Sequence, residues 1–275
     1  MAELTQARVT GLASGVDHIL ALLGNGTVKA LGNNELGQLG DGTNVGHITA
    51  GTVRTLTDVA GVAGGAGYSL ALLSDGTVKT WGSNFAGQLG DGTNNNSSTP
   101  VTVTGLAGVR AIAGGGEFSL ALLSDGTVKA WGFNNAGQLG DGTNNQSSTP
   151  VSVTGLTGVR AVAGGGEHSL ALLSDGTVKT WGNNFAGQLG DGTNNNSSTP
   201  VSVTGLTGVR AIAAGFSHNL AVSGGSLDAW GDNGFGQLGD GSTNNSSLPI
   251  TVVTGLSNIT IIAAHSTGNL SLAAA

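Results

Sequence analysis

Apolar and polar residues alternate in short runs along the middle of this chain, with glycine or proline at nearly every break. Period-two alternation over four to eight residues is the signature of a half-buried β-strand. In the stretch from Pro150 to Gly192, Val151-Ser-Val-Thr154 alternates directly after a proline. That predicts an edge strand, since proline cannot donate to a ladder. Gly155-Leu-Thr-Gly158 is a turn, and Val159-Arg-Ala-Val-Ala163 alternates again before Gly164-Gly-Gly166. Ser169 to Leu173 is a third strand. Ser174-Asp175-Gly176 predicts a hairpin turn, because Asp-Gly supplies the positive φ such turns need. Val178-Lys-Thr-Trp181 returns as a fourth strand. The pattern then lapses from Gly182 to Thr199, whose second half, Asp191-Gly-Thr-Asn-Asn-Asn-Ser-Ser, predicts an exposed loop.

This unit recurs. Trp81, Trp131 and Trp181 stand 50 residues apart, and Trp230 follows after 49. Diverged copies of the same core run from Leu20 to Gly42 and from Leu220 to Gly241. A fixed period of about 20–50 residues means a repeat architecture. One small sheet cannot bury both of its faces, but a ring of such sheets packed face to face can. The repeated tryptophan fits a wedge between neighbours. Leu31 holds its place in the first copy, and an apolar non-aromatic substitute favours packing over ligand stacking. Composition agrees: 51 of 275 residues are Gly and only 9% are charged, which suits short strands and tight turns better than helices.

The string Trp131-Gly-Phe-Asn-Asn-Ala-Gly-Gln-Leu-Gly140, together with His168-Ser-Leu-Ala-Leu172, closely resembles the regulator of chromosome condensation repeat. Gly-Gln-Leu-Gly occurs five times, around Gln38, Gln88, Gln138, Gln188 and Gln237. The resemblance implies a β-propeller, usually of seven blades, on a scaffold that serves nucleotide exchange on a small GTPase with chromatin binding and β-lactamase inhibition, and that many bacterial members carry without an assigned role. Here the Ala-x-Ala-Gly-Gly and Ser-Leu-Ala-Leu strand pair recurs six times, loosely in the end copies, and the Trp-Gly strand five times, counting Leu31-Gly32. The expected fold is therefore an all-β propeller of four-stranded antiparallel blades, residues 1–275 forming one domain. Six blades are expected, the first and last each lacking a strand and meeting to close the ring. The alternatives are five blades plus an extra hairpin, or seven blades completed by a partner chain. Unpaired end strands would also suit a homodimer. The near-identity of the units from Tyr68 to Ser217 fits recent duplication or deliberate construction.

The remaining chemistry is sparse. A net charge of −7 and the lack of a basic stripe argue against a nucleic-acid partner. With no cysteine there is no disulfide, zinc–thiolate site or cysteine nucleophile. No apolar run approaches the roughly 18 residues of a membrane span, and the first residues show no secretory signal pattern. His18, His168 and His218 share one repeat position with Tyr68 and Phe118, with Gly268 aligned to it in the last copy. A ligand or general base cannot be replaced by Phe and keep its role, so the position reads as structural. Glu167-His168-Ser169 with Asp175 has the residue types of a hydrolase triad, but neighbours on a strand point to opposite faces. Asp41, Asp91, Asp141, Asp191 and Asp240 open their loops singly, which suits capping of a turn better than a Ca²⁺ site. The glycine clusters lack the Gly-Lys-Ser/Thr of a phosphate loop and read as close strand approach at the axis.

Phe85, Asn135 and Phe185 occupy one loop position, with Glu35 there in the first copy and Phe235 displaced by one residue in the fifth. Exposed on one face, the phenylalanines would form a partial aromatic ring able to grip a protein. His265 breaks the repeat near the expected seam. An interaction site should gather such departures, the others being Glu35, Val45-Gly-His47 and Asp228. The expected function is that of a non-enzymatic scaffold or protein-interaction module without cofactor or metal, natural bacterial or engineered. A specific inhibitor or exchange-factor-like binder is the alternative, and a channel-sited hydrolase or lyase the second.

Overall fold

The computed structural model describes residues 8–252, 259–264, 268–269 and 271–274. These form five four-stranded antiparallel sheets and one two-stranded sheet, each built in chain order from the axis outward. Sheet four shows the pattern: Val159–Gly164, His168–Leu173, Val178–Gly182 and Ser197–Ser202. The first strands of successive sheets pack on one another around the hub, so the sheets are arranged as the blades of a propeller.

Six sheets match the expected count, but the phase of the unit differs from the sequence reading. The proline-containing strand closes the sheet before it. Ser147–Ser152 pairs with Val128–Gly132, with Lys129 opposite Ser152, Ala130 opposite Val151 and Gly132 opposite Ser147. Pro150 falls within the irregular part of that register, at an outer edge where a missing N–H leaves no ladder bond unmade. Consequently the first sheet is complete, from Val9–Ser14 through His18–Leu23 and Val28–Gly32 to His47–Thr52. The shortfall lies entirely in the sixth, Ile261–Ala264 and Ser271–Ala274. Nor do the two ends cover each other. Leu12 is 71% exposed on the first sheet, and Ile261 and Leu272 are 65% and 58% exposed on the sixth.

The tryptophans join the sheets. All four are fully buried, and each packs among the aliphatic side chains of the sheet before its own. Each indole N–H donates to the backbone carbonyl of the preceding sheet's Gly-Gln-Leu-Gly glutamine: Trp81 to Gln38, Trp131 to Gln88, Trp181 to Gln138 and Trp230 to Gln188, at 2.8–3.0 Å. The same carbonyl takes a second bond from the neighbouring strand, from Ser69, Ser119, Ser169 or Asn219. The last glycine of the motif completes the slot. A Cβ on Gly90 would lie 2.7 Å from the Trp131 indole nitrogen, and its φ of +68° suits glycine alone. The first sheet has neither donor: Leu31 replaces Trp and Ile19 replaces Ser, and both line a pocket on its open face.

The loop after each tryptophan strand is held by one buried asparagine. Asn84 Oδ1 accepts from the Leu89 N–H, while its Nδ2 donates to the carbonyls of Thr93 and Asn95. Asn34, Asn134 and Asn184 repeat this set. The stretch read as one long loop is thus two parts. The Gly-Gln-Leu-Gly part is buried against the next sheet, and the exposed part begins only after the aspartate.

Trp131→Ala is expected to cost about 3–5 kcal/mol, through lost burial and the loss of one of the two hydrogen bonds at the Gln88 carbonyl. Leu31→Ala should cost only about 1 kcal/mol, since that side chain is half-exposed and carries no hydrogen bond. Urea unfolding of the two variants beside the wild type measures the difference.

Candidate functional site

Turns between first and second strands, and loops between third and fourth, emerge at the same end of every sheet. A backbone bond ties them, as from the Phe133 N–H to the Glu117 carbonyl and from the Asn183 N–H to the Glu167 carbonyl, both 2.9 Å. At the hub the turns are linked in series. Val16 donates to Ala66, Ala66 to Gly116, Gly116 to Gly166, Gly166 to Phe216, and Phe216 to Gly268, at 2.9–3.3 Å. Such contact between main chains leaves no room for side chains, and a Cβ on Gly114 would sit 2.4 Å from the Gly64 carbonyl oxygen. The glycine clusters therefore build the axis.

Over this ring lies a cavity of about 350 Å³ lined by Val16, Ala66, Glu117, Phe133, Glu167 and Phe216, with Gly116 and Gly166 at its floor. Glu117 is exposed at its rim, and Glu167 is held by Asn183, whose Nδ2 donates at 3.1 Å. Farther from the axis, Phe85, Phe185 and Phe235 stand 67%, 77% and 80% exposed on the loops. Asn135 and Glu35 are exposed at the same loop position. The loops beneath are pinned, since Asn94 and Asn194 Nδ2 donate to the carbonyls of Phe85 and Phe185. The phenylalanines are thus presented by rigid turns. Sequence reasoning missed Phe133 and Phe216, which have no aromatic counterparts in the other repeats and reach the cavity only through the fold.

The histidines lie elsewhere. His18, His168 and His218 are buried between sheets, and their Nε2 atoms meet Ser69 Oγ, Asn219 Oδ1 and Ser271 Oγ at 2.7–2.8 Å. Burial lowers each to a pKa of about 4, so all three are neutral. At the same position Tyr68 donates its hydroxyl to the Phe118 carbonyl. Ser271 matches Ser69 in register, so the last copy has a longer turn and Gly268 sits in that turn, not at the histidine position as the sequence alignment placed it. His265 lies outside the described residues.

The loop aspartates bind their own turns. Oδ1 of Asp41, Asp91, Asp141, Asp191 and Asp240 accepts the N–H two residues on, at 2.8–2.9 Å. Burial opposes the charge of Asp41, but hydrogen bonds from Thr43, His47 and Asn34 hold its carboxyl down at about 2. His47 Nε2 lies 2.7 Å from that carboxylate. Asp228 accepts from Ser223 and Thr251 inside sheet five. The departures from the repeat therefore do not gather: Glu35 lies in the first sheet's loop, His47 opens that sheet's fourth strand, and Asp228 lies in the fifth sheet. Among the described residues no three His, Asp or Glu side chains converge as a metal site. Among the described residues no helix is long and apolar enough to cross a membrane.

The regulator of chromosome condensation (RCC1) repeat model matches residues 75–122, 125–172, 175–222 and 225–274. A second model of the same repeat matches 59–88, 109–138, 159–188 and 209–237. Among solved structures the chain is similar to human WBSCR16, with 29% identity over 94% of this chain and 70% of that one, and a TM-score of 0.84. It is also similar to Prp20p of Saccharomyces cerevisiae, described with its binding to Gsp1p and histones, at 25% identity over 94% and 67% of the two chains and a TM-score of 0.84. Yeast RCC1 (Prp20) bound to Kap60 gives 25% identity, 95% and 67% coverage and a TM-score of 0.82. This chain thus spans about two-thirds of the length of these relatives. No curated protein sequence matches it.

The buried histidines make stability depend on pH. Above about 6.5 they are neutral whether the chain is folded or not, and their contribution is complete. Between about 6.5 and 4 the unfolded chain takes up protons that the folded chain refuses, so stability falls with pH. The slope is at most about 1.4 kcal/mol per pH unit for each histidine. His18→Phe, which reproduces the Phe118–Ser169 arrangement, should melt like the wild type at pH 8 and lose less stability by pH 4.5. Thermal melts across that range check it, and parallel curves for the two proteins would refute it.

Proposed function

The chain belongs to the regulator of chromosome condensation repeat family, and from that premise we propose that residues 1–275 act as one rigid, non-enzymatic protein-interaction module that binds through its loop face. The carrying observation is the set of exposed phenylalanines, Phe85, Phe185 and Phe235, on pinned loops around a cavity bordered by Phe133, Phe216 and Glu117. Large exposed aromatics on a rigid support are what interface anchors require, because little entropy is lost when they are covered. Exposed Asp17, Glu35 and Glu117 make the same face acidic and favour a partner that offers basic side chains among apolar ones. The absence of catalysis is supported by the chemistry that is used up: the histidines are neutral and sealed between sheets, and the loop aspartates are committed to their own turns. The net charge of −7 speaks against a nucleic-acid partner.

Exchange-factor-like binding is the second reading, favoured by the likeness to Prp20p, which is described as binding Gsp1p and histones. It would use the same scaffold with a GTPase as the protein bound. Nucleotide release from a small GTPase, followed with and without the chain, distinguishes the two readings.

The triple variant Phe85→Ser, Phe185→Ser, Phe235→Ser is expected to keep the wild-type melting curve, because none of these rings is in the core. Proteins photo-crosslinked through a probe at Asn135 on the wild type should be lost from the triple variant. Retention of the same partners at wild-type yield would remove the loop face as the binding surface.

A further inference from the structure

Two aromatic departures from the repeat, Phe133 and Phe216, border the cavity over the hub, whose lining residues all come from the first five sheets. Phe133 stands where the other sheets have Asn33, Ser83, Asn183 and Asp232. In those sheets the side-chain oxygen accepts from the glutamine of Gly-Gln-Leu-Gly, with Nε2 of Gln38, Gln88, Gln188 and Gln237 donating at 2.7–3.2 Å. Phe133 offers no such oxygen, and Nε2 of the wholly buried Gln138 has no partner among the described residues. A buried donor left without an acceptor costs stability, so this ring does not serve its own loop. Phe216 takes the repeat position of Val16, Ala66, Gly116 and Gly166. Its ring lies on the backbone of the fourth sheet, where a Cβ on Gly166 would meet Cδ2 and Cε2 at 2.6 and 2.7 Å, yet the residue is 46% exposed.

Charge is sorted between the two ends of the sheets. Lys29, Lys79, Lys129 and Lys179 stand second in their third strands, and Arg110, Arg160 and Arg210 second in their first strands. Both kinds of strand run toward the loop face, so these cations belong to the opposite end. Arg8 directly precedes the first strand, and Arg54 follows a fourth strand that runs away from the loops. With them, all nine Lys and Arg of the chain have their backbone at the far end. The charged residues lining the cavity are Glu117 and Glu167. Glu167 accepts from Asn183, whereas no group among the described residues donates a hydrogen bond to the exposed Glu117 carboxylate or pairs with its charge.

We propose that the hub cavity takes the side chain of an arginine presented by the protein partner, an inference that rests on the loop face being a protein-binding surface. A guanidinium is planar, weakly hydrated and stacks on aromatic rings, and Phe133 and Phe216 supply such rings. Its fork of N–H donors matches a carboxylate with both oxygens free, which is what Glu117 offers. The compact ammonium of lysine holds its water more strongly and cannot make that fork. An anionic group is repelled by Glu117 and Glu167. At about 350 Å³ the cavity is at the small end of ligand-sized cavities and suits one long side chain rather than a folded element.

The probe is Nα-acetyl-arginine methylamide, titrated at constant ionic strength into the isotope-labelled full chain and followed through backbone amide shifts by NMR. Saturable shifts are expected at Glu117, Phe133, Gly166 and Phe216. The citrulline analogue, neutral but of the same shape, should bind at least about tenfold more weakly, because the charge-assisted hydrogen bonds are lost. The lysine analogue should also bind more weakly than arginine. Glu117→Gln should weaken arginine binding at least about fivefold, and Phe216→Gly, which installs the residue of Gly116 and Gly166, at least about threefold. If either variant does not fold, the comparison of arginine with citrulline on the wild type still decides the matter. Equal binding of arginine and citrulline, tighter binding of lysine, or no saturable shift at these amides would overturn the proposal. None of those results bears on the loop face as a whole, whose failure is read separately, from photo-crosslinks that survive in the triple phenylalanine variant.

Discussion

Everything in this protein hangs on a hydrogen bond between an indole and a backbone carbonyl of the neighbouring sheet. Alone, a four-stranded sheet of short strands leaves both faces wet. The tryptophan carries the largest apolar side chain of each unit into the sheet before it, and the glutamine carbonyl gives its N–H a partner there. Burial and polar satisfaction come from the same contact, and neither partner is satisfied within its own unit. Stability is accordingly a property of junctions between sheets, as expected of repeat proteins.

The junctions also account for what is constant and what varies. The buried asparagine shapes the loop so that the glutamine carbonyl faces outward from its sheet, and the glycine after Gln-Leu leaves room for the indole. Any change there disturbs two sheets. The positions free to differ lie on the loop face, where Glu35, Phe85, Asn135 and Phe185 replace one another at one site. The histidine position tolerates Tyr and Phe because its task is to fill space between sheets, with hydrogen bonding added where the ring permits. Function on such a scaffold belongs to the loops, which can change without touching the junctions.

The ends of the series are unequal. On the first sheet both groups that would reach a preceding carbonyl are replaced by apolar residues, so its open face makes no polar demand. At the other end the sixth sheet has two described strands, Ile261–Ala264 and Ser271–Ala274, against four in the first. Leu12 on the first sheet and Ile261 and Leu272 on the sixth stay exposed, so the two ends do not cover each other in the way the strand count predicts.

Much of this was legible in the sequence. The 50-residue spacing, the alternating runs and the Asp-Gly turns determined a series of antiparallel sheets joined through tryptophan, because side-chain periodicity and turn chemistry are local properties. Replacement of His by Phe disclosed a packing site rather than a catalytic one. Three matters were decided only by tertiary structure. The proline-containing strand could have joined the sheet before it or the one after, and no local preference distinguishes them; the pinned loop turns it back. Phe133 and Phe216 are unremarked in their own repeats and become neighbours only at the hub. The cavity between the fifth and sixth sheets, lined by Leu227, Leu238 and Val252 on one side and Leu272 on the other, is likewise defined by contacts between sheets and not by any stretch of chain.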